Sequence, residues 1–165
     1  MTRENEHRPD MAEQNMGQQS PEDPKAKFRS MVEDAKKSAK YVGEQNPGTP
    51  ATARELQKQA KMWGEMSQED NRSAEQKAQF SQASEHYQKA AGKNQEMVNL
   101  RLNHLNPEQQ QAWTEKHDML ERIIDNYTKD LSKFQGTTQE RIRITDELVS
   151  YEKQRDELEA SLPKL

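Results

Sequence analysis

The sequence predicts an all-α, elongated helical protein with a disordered N-terminal arm and a C-terminal antiparallel coiled-coil hairpin. Three observations favour this fold class. Leu, Ile, Val and Phe make up 21 of the 165 residues, below the ~20% under which disorder is expected, so a single large hydrophobic core is improbable. The 25 basic residues nearly balance the 29 acidic residues, which on a chain with few apolar residues is typical of long, solvent-exposed helices as well as of disorder. Apolar residues recur at intervals of three and four, the period of an α-helix.

Residues 1–24 are predicted to form a disordered acidic arm. Apart from the initiator methionine, Met11 and Met16 are its only sizeable apolar side chains. The arm contains six acidic and two basic residues, so its balance of −4 equals the formal net charge of the whole chain. A segment of this composition buries too little apolar surface to offset the entropy lost on ordering.

Residues 25–106 are predicted to form a mixed-charge helical region with a loop at residues 43–50. Two glycines and two prolines in that loop separate two helical patterns. Apolar residues recur at helical spacing in both patterns, first at Phe28, Met31, Val32, Ala35, Ala39 and Val42, then at Ala53, Leu56, Ala60 and Trp63.

Two further helix starts are predicted from capping patterns. The segment Ser67–Asp70 matches a capping box, so a helix is expected to begin there and to run to Ala91, with Gly92 as its C-cap. Asn106, followed by proline and an acid, is the clearest helix start in the chain, because these residue types are preferred at the N-cap and first turn.

Residues 107–165 contain two heptad patterns separated by a turn signal at Gly136, and they predict an antiparallel coiled-coil hairpin. Folding the chain back about residues 135–140 would place apolar side chains opposite each other at most layers. These positions form the candidate interaction seam: Trp113, His117, Leu120, Ile124, Tyr127, Leu131, Phe134, Ile144, Leu148, Tyr151, Arg155, Leu158 and Leu162.

Two polar residues of the candidate interaction seam allow two interpretations each. His117 is either a pH-sensitive position or an ordinary neutral histidine at the edge of the seam. Arg155 either fixes the register or extends to a nearby acid such as Glu121.

The hairpin alone is expected to be marginally stable. We therefore predict a second surface, from this chain or another copy, against its flank at Met119, Ile123, Ile142 and Val149.

One concentrated basic area is present before residue 66, and it supports three interpretations. It is a face for binding phosphates, an ordinary solvated surface, or a dock for the acidic arm. This candidate basic face comprises Lys36, Lys37, Lys40, Arg54, Lys58 and Lys61.

A set of local motifs lies between residues 28 and 87. They are Asn46-Pro47-Gly48 before a helix, then Met62-Trp63, Met66-Ser67, Ala78 and Tyr87. In these motifs residues 28–87 resemble a degenerate HMG box, the three-helix DNA-bending domain. The resemblance implies a nucleic-acid-associated architectural protein in which Trp63 belongs to the core.

No pattern in the sequence predicts a catalytic, cofactor or metal site. The glycines form no phosphate-binding motif. The absence of cysteine excludes disulfides and thiolate ligands. The four histidines lie on separate predicted elements, without metal-ligand spacing: His7, His86, His104 and His117.

The sequence therefore favours a non-enzymatic helical interaction protein, acting as a scaffold, assembly factor, adaptor or effector by protein–protein binding. A protein partner, a homo-oligomer or both are expected, and nucleic acid is the second choice of partner. No apolar run is long enough to span a membrane, and no signal peptide is apparent. We expect a cytoplasmic protein, or one exported without a cleaved signal peptide.

Overall fold

The computed structural model describes residues 24–165; residues 1–23 of the predicted acidic arm and the side chain of Phe28 lie outside the described part. The described residues form helices and no strand, which confirms the all-α prediction. The five helices are α1 (Pro24–Gln45), α2 (Pro50–Gln68), α3 (Ala74–Leu102), α4 (Pro107–Ser132) and α5 (Thr138–Ala160).

Side-chain caps explain where four of the helices begin. Thr49, Ser73, Asn106 and Thr137 each accept a hydrogen bond from the backbone N–H three residues later. The last three of these belong to complete capping boxes, which satisfy two backbone donors at each helix start. The prediction of a helix start at Asn106 is confirmed.

The predicted helix start at Ser67 is wrong. Ser67 is buried inside α2, where its hydroxyl donates a 2.6 Å hydrogen bond to the carbonyl oxygen of Gly64. The hydroxyl thus bonds back within its own helix, and Ser73 is the residue that caps α3. A capping pattern marks a start only where the preceding helix has ended.

The predicted helix end at Gly92 is also wrong, because α3 continues to Leu102. Glycine inside a helix costs about 1 kcal/mol relative to alanine. Buried residues on both sides of Gly92, including Ala91 and Val98, pack against other helices and keep the segment helical. Tertiary packing therefore outweighs the local preference of this glycine.

The first three helices pack around a small core. Helix α2 lies antiparallel to α3, since the Ser84 hydroxyl donates to the carbonyl oxygen of Ala60 and the rings of Trp63 and Phe80 lie 5.7 Å apart. Small side chains dominate the core and allow the helix backbones to approach closely. Its buried members are Ala35, Ala39, Leu56, Ala60, Ala83, Tyr87 and Ala91.

The turn between α1 and α2 depends on a buried asparagine of α3. Asn94 Oδ1 accepts a 2.7 Å hydrogen bond from the backbone N–H of Gly48, and its amide nitrogen donates to the carbonyl oxygen of Gly43 at 3.3 Å. Gly48 has a φ of +70°, and a Cβ there would lie 2.9 Å from the Cβ of Met97. Both the conformation and the close approach require glycine.

Arg101 connects this turn to the end of the chain. Its guanidinium donates to the carbonyl oxygens of Gly48 at 2.6 Å, Leu162 at 2.9 Å and Pro163 at 2.7 Å. The side chain is buried, and Leu162 is buried beside it. The end of α3 thereby holds two segments that are far apart in sequence.

Helices α4 and α5 pair antiparallel. The Tyr127 hydroxyl donates to the Glu147 carboxylate at 2.7 Å, and its ring centroid lies 5.6 Å from that of Tyr151. Near the other end, Trp113 Nε1 donates to the carbonyl oxygen of Leu158 at 3.0 Å. These contacts agree with the predicted fold-back to within a few residues, whereas coiled-coil packing in particular stays a prediction.

Replacing Gly48 or Gly92 by alanine should change the stability of the protein in opposite directions. We expect Gly48→Ala to lower the free energy of unfolding by about 1–2 kcal/mol, because alanine is strained at positive φ. Gly92→Ala is the matched control; it lies in a helix with no atom within 4 Å of the added Cβ, and it should raise stability by about 0.5–1 kcal/mol. Urea unfolding of both variants measures this, and equal effects would contradict the assigned conformations.

Candidate functional site

Five charged or titratable side chains meet where the hairpin joins the first three helices. Arg54 of α2 contacts Glu159 of α5 at 2.7 Å and Glu121 of α4 at 3.0 Å. His117 Nε2 lies 3.0 Å from Glu159 Oε1, and Arg155 Nη1 lies 3.5 Å from Glu121 Oε1. We call these five residues the base cluster. Their arrangement joins α2, α4 and α5.

Glu159 is the most enclosed member of the base cluster, with its side chain 6% exposed. Burial, the largest effect, raises the pKa of its carboxyl group. The hydrogen bonds with His117 and Arg54 lower it more in sum, so the pKa of Glu159 lies below its ordinary value. Burial likewise opposes the charge of Arg54, but the bond to Glu159 raises the pKa of that guanidinium. The charged forms of this pair stabilise each other.

The two polar seam residues both belong to the base cluster. Arg155 has the predicted pairing with Glu121, and it also lies 3.9 Å from Glu159. His117 is half-buried, and its ring stacks on that of Trp113 at 4.7 Å with an interplanar angle of 11°. Along α4, the polar seam position His117 thus lies between two apolar seam positions, Trp113 and the buried Leu120.

Three base-cluster residues have the donor types of a metal site. Donor atoms of His117, Glu121 and Glu159 lie within 4.8 Å of one another. Arg54 already donates to both carboxylates, and a cation among these oxygens would have to displace that guanidinium. The donor set therefore fits a network of ion pairs better than a metal centre.

The candidate basic face is divided in the structure. Arg54 is turned toward the base cluster, whereas Lys58 and Lys61 are exposed on α2. The three lysines of α1 line a separate groove between α1 and α3. The six predicted residues thus do not form one surface: the hairpin carboxylates bind Arg54, and the α1 lysines line a groove that Lys58 and Lys61 do not line.

We call that depression the α1–α3 groove; it has a volume of about 620 Å³. Its rim includes charged or titratable residues of both helices: Glu33, Lys36, Lys37, Lys40, Glu44, His86, Lys89 and Lys93. Small and apolar residues lie between them: Ala39, Gly43, Pro47, Ala90 and Met97. Five lysines against two glutamates give the groove a positive charge over a mainly apolar floor.

The hairpin leaves apolar side chains outside its seam. Ile142 and Val149 are each 55% exposed on α5, and Met119 is 49% exposed on α4, while Ile123 is half-buried. The thirteen candidate seam residues are all buried or half-buried. Among the described residues, the seam positions are thus less exposed than Met119, Ile142 and Val149 of the flank, and the packing of a second surface against that flank stays a prediction.

Sequence reasoning missed Asn94, Arg101 and Glu159. Asn94 and Arg101 bind backbone carbonyl or amide groups about 50–60 residues away in sequence. Because nearly every residue type has the same backbone groups, the residues at these positions do not indicate the contacts, and no sequence pattern could have predicted them. Glu159 lies next to the predicted seam residue Leu158. This position beside the seam was the only sequence feature that could have indicated a contact of Glu159 with the other helices.

A scan against protein-family models found no match, and searches of curated proteins and of solved structures found none either. These comparisons therefore add no support to the HMG-box resemblance of residues 28–87, which stays a prediction. Within the described residues, every helix is too short or too polar to cross a membrane.

The base cluster predicts an acid-dependent contribution to stability. The pKa of Glu159 lies below its ordinary value of 4.5, so its contribution is present above that pH and is lost as the pH falls through the lower pKa of the folded state. We expect Glu159→Gln to reduce the free energy of unfolding by about 1–3 kcal/mol at pH 7. The difference from the wild type should shrink below about pH 4.5.

Urea unfolding between pH 7 and pH 3 measures this difference. Glu157→Gln is the matched control, because the Glu157 side chain is 68% exposed and pairs only at 3.9 Å with Lys153. That control should stay close to the wild type at pH 7. A Glu159→Gln deficit that is equally large at pH 3 would contradict the assignment.

Proposed function

We propose that this chain is a non-enzymatic helical interaction protein that associates with a second copy of itself through the outer face of its α4–α5 hairpin. The exposure of Ile142 and Val149 carries the proposal. These residues are seven positions apart, so two turns of α5 place them on the same face. Large apolar side chains exposed together on one helix face are typical of surfaces that bind another protein.

The surroundings of Val149 support this proposal. Val149 and Ala160 line a shallow depression of about 470 Å³ together with Glu152, Lys153 and Asp156, among other residues. Apolar side chains bordered by charges of both signs match the core and polar rim of a protein–protein interface. A helix from another chain fits such a shallow, elongated surface better than a small molecule, which requires a deeper pocket.

The hydrogen bonds of the buried polar side chains support a non-enzymatic role. Glu159 is bonded to Arg54 and His117, and the donors of Arg101 are bonded to backbone carbonyl oxygens. A general acid or base needs a free position within hydrogen-bond reach of a substrate. In the described residues, these buried groups are directed at each other or at the backbone.

Nucleic-acid binding is the alternative proposal, and the lysines of the α1–α3 groove favour it. Two observations weigh against it. Arg54 is engaged in the base cluster, and Glu33 and Glu44 lie among the lysines. A phosphate-binding surface would show binding that weakens steeply with salt. Protein binding through the hairpin accounts for the exposed apolar residues, which nucleic-acid binding leaves unexplained.

Self-association of the full chain tests the proposal, with a second copy as the partner. We expect the wild type to form an oligomer in light scattering after size-exclusion chromatography. Ile142→Glu combined with Val149→Glu should give a monomer, because association would bury two carboxylates without partners. Circular dichroism should show unchanged helix content, since both side chains are exposed in one copy.

Ser150→Glu combined with Gln154→Glu is the matched control, since it adds the same charge at exposed polar positions of α5. This variant should associate like the wild type. A wild type that is monomeric at all concentrations, or an oligomer that persists in the Ile142 and Val149 variant, would overturn the proposal.

A further inference from the structure

The α1–α3 groove combines two properties that define the chemistry of its ligand. The floor contains Ala39, Ala90 and the flexible side chain of Met97. The rim contains the lysines described above, three on α1 and two on α3, and all five are exposed. An acidic segment with a few apolar side chains fits this surface, because its carboxylates meet the lysines while its apolar groups cover the floor.

Other ligand chemistries match less well. Single-stranded nucleic acid is bound by stacking its bases on aromatic side chains, and His86 is the only aromatic ring among the lining residues. A duplex would contact phosphates at the rim and leave the apolar floor uncovered. Methionine packs adaptably against other flexible apolar groups, so Met97 favours a ligand with apolar side chains.

We propose that the α1–α3 groove binds the chain's own N-terminal residues 1–23. These residues carry six acidic and two basic side chains, and they include Met11 and Met16. The charge is opposite to that of the groove, and the two methionines are suited to its floor. This proposal is independent of the hairpin surface described under the proposed function.

The length and position of the segment allow this contact. Residues 1–23 immediately precede α1, which forms one wall of the groove. From Pro24, the groove residues Lys36 and Lys40 lie about 18–24 Å along α1 at 1.5 Å per residue. An extended segment of 23 residues spans about 75 Å. Covalent attachment also raises the local concentration to about the millimolar range, which favours even a weak contact.

A spin label on the N-terminal segment tests the proposal in the full chain. The sequence contains no cysteine, so Asn15→Cys gives a single attachment site for a nitroxide. NMR then measures which backbone amide signals lose intensity through proximity to the label. We expect loss at groove residues such as Lys89 and Met97, and none at Tyr127 in the hairpin. The loss should decrease at about 1 M salt, where the Debye length is only about 3 Å.

Two double variants with the same change in charge distinguish binding at the groove from an effect of the protein's net charge. Lys89→Glu combined with Lys93→Glu should restore the groove signals. Lys58→Glu combined with Lys61→Glu changes the charge equally at exposed positions of α2 outside the groove, and the signal loss should remain. Met11→Ser combined with Met16→Ser should also reduce the loss, because it removes the apolar side chains that cover the floor.

Four outcomes would overturn the proposal. The first is an absence of signal loss at the groove, and the second is loss that is unaffected by Lys89→Glu with Lys93→Glu. The third is loss that arises only between a labelled and an unlabelled copy, which would assign the groove to a second copy. The fourth is binding of a nonspecific DNA duplex through Lys89 and Lys93 without any loss from the label, which would assign the groove to nucleic acid.

Discussion

The arrangement of the helices depends on one buried guanidinium. Arg101 donates to the backbone of the α1–α2 turn and to the backbone just after α5. A chain so poor in large apolar side chains has little capacity to fix these segments by hydrophobic contact alone. Directed bonds from a charged group, which contribute more than neutral ones, specify the position of both segments at once.

The base cluster fixes the position of the hairpin in the same way, through polar contacts. Arg54 lies on α2, while the carboxylates that it contacts lie on α4 and α5. Ion pairs that are partly buried contribute modestly to stability, but each requires one particular geometry. Leu56 and the alanines around it hold the first three helices together, and the polar contacts determine how the last two helices join them.

The sequence was sufficient for the parts of the structure that depend on periodicity and local capping. The stripe around Leu56 and the seam around Leu120 follow directly from spacing, and Asn106 follows from residue preference at helix starts. Predictions from local sequence were wrong at Ser67 and Gly92. Packing against other helices keeps these segments helical despite a capping residue or a glycine. Arg101 could not be predicted, because its acceptors are backbone oxygens whose positions exist only in the folded chain.

The joint between the hairpin and the first three helices has a mechanical consequence. The described hydrogen bonds across it join Arg54 to Glu121 and Glu159, and Arg101 to the backbone of Leu162 and Pro163. Beyond Glu121, helix α4 continues for about 16 Å to its end at Ser132, at 1.5 Å per residue. A small rotation of the hairpin about these contacts therefore moves the turn near Gly136 further than it moves the residues at the contacts. Arg54 forms ion pairs at these contacts and Arg101 binds neutral carbonyl oxygens, so the position of that turn depends on a few polar contacts at the opposite end of the hairpin.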